Sequence, residues 1–286
     1  KNIVSAQSGT RKKFFLPPDF QLTDAWRRRL YTIANTTDGT SESVGICGFC
    51  LLQTYQMIAE LEEYYPGNPL TSGGYFFDAV PGTNPIDSFR RRFPLVYNIL
   101  GSSALFYPPL TPTEPHDMIA FRMVEATTQL ILTRFNWRGS SLATGYDNII
   151  HAIEELLRAA PGTVWVSLIT YLYPDGRITR HAVPLLRSQS GLIVIPTNTN
   201  IEFARFTAMM AETADPHAIV LRLAQWRNVT VTALATFQLV GEDPRPLNLT
   251  MSHHNCTGEG SSRRGSRERP RSATVNQCLG GRCSIL

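Results

Sequence analysis

Ser43-Val44-Gly45-Ile46-Cys47-Gly48-Phe49-Cys50 runs without a break into Leu51-Leu52-Gln53-Thr54-Tyr55-Gln56-Met57-Ile58-Ala59-Glu60-Leu61. A small, glycine-containing approach meets a cysteine, and a mostly apolar segment follows it. Counted from Cys47, the positions Cys50, Leu51, Thr54, Tyr55, Ile58 and Leu61 recur at helical spacing and share one face. The spacing predicts a largely buried helix with Cys47 in its first turn, ended by Pro66-Gly67-Asn68-Pro69. At a helix start the unpaired backbone N–H groups and the positive end of the dipole favour a thiolate. Such a setting lowers a cysteine pKa and makes the sulfur a nucleophile at neutral pH.

Around this stretch the chain falls into a helical first part and a β-rich second part. Residues 1–22 read as a polar arm, 23–33 as a helix opened by Thr23 and Asp24, and 35–45 as a loop leading to Cys47. The segment 68–85 is rich in Gly, Pro and aromatic residues and reads as irregular. Helical patterns follow at about 86–99, 115–135 and 145–159. After Pro161-Gly162 the character changes. Residues 163–172 form a strand, Pro174-Asp175-Gly176 a turn, and 177–186 the returning strand. Ser188-Gln189-Ser190-Gly191 turns into a further strand, Leu192-Ile193-Val194-Ile195, which ends in Pro196-Thr197-Asn198-Thr199-Asn200. Residues 201–213 look helical, and 217–240 are apolar enough for one or two more strands. Helices first and a mainly antiparallel sheet second make an α+β fold.

The chain has 286 residues, 43% hydrophobic and 17% charged, enough for a sizeable core in a folded domain over 1–240. Its net charge of +4 sits mostly in the tail, where residues 241–286 carry seven arginines against four acids. A nearly neutral body argues against nucleic-acid binding, which uses a broad basic face. Five cysteines do not resemble a disulfide framework. Cys47 and Cys50 have the Cys-x-x-Cys spacing of zinc and redox sites, but no second ligand pair follows. The residues before Val44 are loop-like, where a redox motif expects a strand. No cofactor or metal is expected. No stretch has the apolar length of a membrane span and no signal-peptide pattern opens the chain; Lys1 in place of Met suggests a processed product or a fragment.

A thiol nucleophile needs a base, and the base needs a group that orients it. Of the six histidines, His181 begins the apolar part of a strand just after a hairpin turn. The next strand ends in Asn198, with Asn200 as substitute, where an amide oxygen can hold the imidazole in one tautomer. His217, after Asp215-Pro216, is the second choice of base. Cysteine at a helix start, histidine on a strand and asparagine after the next strand resemble the order of the papain-like cysteine peptidases. Gly45-Ile46-Cys47-Gly48-Phe49-Cys50-Leu51 is similar to two branches at once. The bacteriocin-leader peptidases and the YopT-type bacterial effectors align Cys47 as nucleophile, whereas papain's own pattern aligns Cys50. His181-Ala182-Val183-Pro184-Leu185 through Asn198 resembles their histidine and asparagine block. The resemblance implies a papain-like catalytic domain with a Cys47–His181–Asn198 triad, acting through a thioester on a peptide bond. Glutamine deamidation and acyl transfer use the same triad. One departure stands out: Ser41 or Val44 occupies the place of the oxyanion-hole glutamine that these branches carry.

Residues 241–286 are rich in Pro, Ser, Arg, Gly and Asn and read as a flexible basic tail. It ends in Cys283-Ser284-Ile285-Leu286, a prenylation pattern, with Cys278 a second lipidation candidate and a basic run from Arg263 to Arg271. One lipid chain plus a polybasic segment is the usual membrane anchor. With the effector resemblance, the tail points to a bacterial virulence factor or toxin delivered into a host cell, on the cytosolic face of host membranes. A eukaryotic cytoplasmic protein is the alternative. A lipidated small GTPase is then the expected kind of protein substrate. The rival from another class is a membrane-tethered adaptor in which Cys47 and His181 are merely core residues.

Overall fold

Thr23 and Gly48 open the two helices on which the first half is built. In α1 (Asp24–Ala34), Thr23 accepts the Trp26 N–H at 3.3 Å and caps the first turn. The computed structural model describes residues 16–133 and 135–242, so the tail with Cys278 and Cys283 lies outside the described residues. After α1 comes a small hairpin, β1 (Ser43–Val44) and β2 (Cys47–Gly48), and then α2 (Phe49–Tyr64). Gly45, at φ 58° in the hairpin turn, takes a conformation costly to other residues, and a Cβ there would lie 2.2 Å from Leu100 O. This turn shifts the helix start from the position expected. Cys47 is extended and paired with Val44, Gly48 is the N-cap, and Cys50 rather than Cys47 lies in the first helical turn.

α2 is buried from Leu51 to Leu61, which makes it the central helix of the molecule. Its polar residues are therefore paired. Glu60 meets Arg29 of α1 at two points, and Gln56 holds the 74–77 loop through the Phe76 and Phe77 N–H groups and Phe77 O. The pattern over 86–99 is two helices, α3 (Pro85–Arg92) and α4 (Pro94–Gly101), because Pro94 cannot donate into a continuing helix. A single turn, α5 (Ser103–Phe106), and α6 (His116–Ile131) follow. α6 ends sooner than the periodicity predicts, and the chain enters β3 (Phe135–Gly139).

The remaining elements are β4 (Ala143–Thr144), α7 (Tyr146–Arg158), β5 (Val164–Leu172), β6 (Ile178–Arg187), β7 (Leu192–Val194), α8 (Phe203–Met209), α9 (Pro216–Leu223) and β8 (Thr230–Glu242). The region 217–240 thus opens with a helix, capped by Asp215 and primed by Pro216, and only then gives one long strand. The sheet is antiparallel throughout, in the order β3-β8-β5-β6-β7, with β4 also on β8. Alternation along the strands divides the core. Val166, Leu168, Ala182 and Leu186 face the α2 side, whereas Ile169, Tyr171, Val183 and Leu185 pack with α7 and α9. Mixed helix and antiparallel sheet, with α2 against β6, form the α+β architecture that the residue pattern predicts.

Candidate functional site

The site lies where α2 meets β6. β7 pairs with β6 only from Leu185 to Arg187, so the first half of that edge is left to other partners. Thr197 Oγ1 donates to Ala182 O at 2.6 Å, and the Ala182 N–H is among the groups that favour a thiolate at Cys50. Cys50 is half-buried, in the first turn of α2. Burial raises its pKa above the ordinary thiol value. Against that, the N–H groups of Ala182, Leu51 and Cys50 itself, together with the Arg227 guanidinium, all favour the thiolate. Cys47 has no such company. It is fully buried, and both burial and the neighbouring Cys50 raise its pKa.

His181 is the residue before Ala182 and is 4% exposed. Alternation puts its side chain on the α7/α9 side, where it stacks on Tyr171 with ring centroids 5.6 Å apart. Its Nε2 lies 3.2 Å from Thr197 Oγ1 and 2.7 Å from Gln225 Nε2. Burial, and then the charge of Arg227, push its pKa down to about 3. Among the described residues no hydrogen bond joins His181 to Cys47 or Cys50; the thiol helix and the imidazole meet through the intervening Ala182.

Asn198 stands beside the histidine's partner, with its backbone, not its amide, tied in. Its N–H donates to Gln53 Oε1 at 2.5 Å, and its carbonyl accepts from Arg227 at 3.3 Å. The hydroxyl that reaches His181 belongs to Thr197, one residue earlier. Asn200 is exposed, and His217 pairs with Tyr146 at 2.6 Å on the surface of α7 and α9. Sequence reasoning missed Thr197, Gln225 and Arg227. Thr197 was within reach as the neighbour of Asn198. Gln225 follows a helix that the β-branched composition hides, and no motif marks it.

Backbone strain gathers here. The described non-glycine residues with positive φ are Asn198 at 45°, Gln225 at 53° and Trp226 at 56°. Gln225 and Trp226 follow the Ala224 C-cap of α9, a place that helices usually give to glycine. A bulky residue in this conformation is held at a cost, and such costs cluster at functional sites. Here the conformation turns Gln225 inward onto His181 and leaves Trp226 56% exposed. Among the described residues no group of three or more His, Cys, Asp or Glu side chains could hold a metal, and no helix is long and apolar enough to cross a membrane.

The chain belongs to the family described as "Protein of unknown function (DUF1561)", whose match covers residues 3–284. No curated protein and no solved structure matches it.

Proposed function

We propose that this DUF1561 chain is a thiol hydrolase of papain-like plan, with Cys50 as nucleophile and His181 as proton carrier, acting on an amide bond of a protein. One observation carries the reading: Cys50 is the sulfur in the first turn of α2, the helix packed on the strand that carries His181, and backbone N–H groups and the Arg227 charge favour its thiolate. The packing of Cys47 in the β1–β2 hairpin favours the cysteine of the papain alignment, Cys50, over Cys47. Thr197 and Gln225 take the orienting place that the sequence offered to Asn198.

In this mechanism the His181 ring, which at rest stacks on Tyr171 on the α7/α9 side, turns past Ala182 toward α2 and takes the thiol proton of Cys50, and the sulfur attacks the carbonyl carbon. The C–N bond breaks, the amine leaves with the proton from His181, and a thioester remains on the sulfur. Water then adds its hydroxyl to the acyl carbon, the C–S bond breaks to release the acid, and the second water proton returns to the sulfur. Peptide cleavage is the first choice. Glutamine deamidation and acyl transfer differ in substrate or acceptor. The basic run from Arg263 to Arg271, with Cys278 after it, supports a membrane-associated effector acting on a membrane-bound substrate such as a lipidated small GTPase.

A second reading has its own support. Burial raises both thiols and depresses His181, as expected of inert core residues in a tethered adaptor. Thiol alkylation followed against pH with residue-level mass spectrometry separates the two, on the protein and on His181→Gln. Labelling of Cys50 ahead of Cys47, slowed by the substitution, is the expected result. Slow labelling of both cysteines, unchanged by the substitution, would leave the adaptor.

A further inference from the structure

We propose that Gln225, braced by Arg227, is a positioning residue that keeps the ring proton of His181 on Nδ1. Its amide is oriented from both ends. Arg227 Nη2 donates to Gln225 Oε1 at 3.2 Å, and Gln225 Nε2 donates to Thr197 O at 3.3 Å. Reversing the amide would set N–H against N–H at Arg227 and oxygen against oxygen at Thr197, so the group facing His181 is an N–H donor. At 2.7 Å from that donor, His181 Nε2 must accept, and an accepting ring nitrogen carries no proton. Thr197 opposes this arrangement from the longer distance. Its hydroxyl proton is given to Ala182 O, and only its lone pairs are left for Nε2.

The same contacts say what happens without the amide. Thr197 would then be the remaining partner of Nε2, and with its proton engaged it can only accept. The ring would respond by moving its proton to Nε2. Gln225 and Thr197 therefore pull the tautomer in opposite directions, and Gln225 prevails at the shorter distance. For catalysis the consequence is direct, and this part alone rests on the thiol-hydrolase reading. Nε2 is engaged, so Nδ1 is the nitrogen left to take the Cys50 proton, and it can do so only after giving up its own. The described arrangement is a resting one, and turning the Gln225 amide, with Oε1 accepting Nε2–H, would make Nδ1 basic.

Long-range ¹H–¹⁵N correlation of the imidazole nitrogens reads the tautomer, with His181 assigned by comparison with His181→Gln. The full chain should show Nδ1–H. Gln225→Gly suits the backbone, because φ 53° is glycine's own region, and should move the proton to Nε2. Gln225→Glu places a carboxylate acceptor at the same point and should do the same, with an upward shift of the histidine titration. Nε2–H in the unsubstituted protein, or an unchanged tautomer in both variants, overturns the proposal. Cys50 alkylation on the same samples is a separate readout. If the tautomer moves as stated while labelling never depends on His181, the proposal stands and the hydrolase reading falls.

Discussion

Gln53 Oε1 accepts the backbone N–H of Asn198 at 2.5 Å, so the helix that carries Cys50 is tied to the turn that carries Thr197. The other end of the same buried amide donates to Thr36 O at 2.8 Å. One side chain thus joins the end of α1, the cysteine helix and the partner turn of His181. Gln53→Leu keeps the bulk and strands a buried N–H and a buried carbonyl. It is expected to cost about 2–6 kcal/mol in urea unfolding, from roughly 1–3 kcal/mol for each unpaired group. A change under about 0.5 kcal/mol would show that the turn is held by other contacts.

Arg29 and Glu60 form a two-point ion pair, with both N–O distances 2.7 Å and both side chains almost wholly shielded. Arg29 also donates to Gly73 O at 2.8 Å. Glu60→Ala should destabilise by about 3–5 kcal/mol, since it leaves a buried guanidinium uncompensated. The double variant Arg29→Met, Glu60→Leu should recover much of that loss. Thermal unfolding of the unsubstituted protein, Glu60→Ala and the double variant checks both statements.

Gly45→Ala tests the hairpin that displaces Cys47 from the helix. The new Cβ would meet Leu100 O and Ser103 Oγ at 2.2 and 2.6 Å, in a backbone conformation unfavourable to alanine. A loss of about 1–3 kcal/mol is expected. Because the strain adjoins β2, Cys47 should also become more open to alkylation; an unmoved melting temperature with a sealed Cys47 would contradict the turn as described.

His181 makes stability depend on pH in a stated direction. The folded chain holds its pKa down to about 3, through burial first and Arg227 second, against about 6.5 unfolded. As pH falls below 6.5 the unfolded chain binds a proton that the folded chain refuses. The contribution is therefore complete above the unfolded value and is lost on acidification toward the folded one, at about 1.4 kcal/mol per pH unit. Urea unfolding between pH 6.5 and 5 should show this slope, and His181→Gln should flatten it. Equal slopes in the two proteins would mean that the imidazole is protonated in the fold.

Much of this architecture was legible as pattern. The apolar spacing of α2, the Pro174-Asp175-Gly176 turn and the short strand that begins at Leu192 are local features, and local chemistry reports them, although that strand ends at Val194 and not at Asn198. What escaped depends on single backbone choices. The left-handed Gly45 moves Cys47 out of the helix, and Pro94 breaks one helical pattern into two. The histidine's environment was legible only in part, because Gln225 reaches it through a left-handed helix end that no periodicity encodes. Thr197 lay one residue from the expected position, and a strand end read from composition has no finer register than that.

The site also has a history in time. Cys50, His181 and Gln225 are far apart along the chain, and contacts between distant segments are the late and slow ones in folding. During synthesis a chain ending before Gln225 already contains both the sulfur and the imidazole, yet the group that fixes the ring proton has not been made. Full hydrogen bonding at His181 therefore needs the chain as far as Gln225.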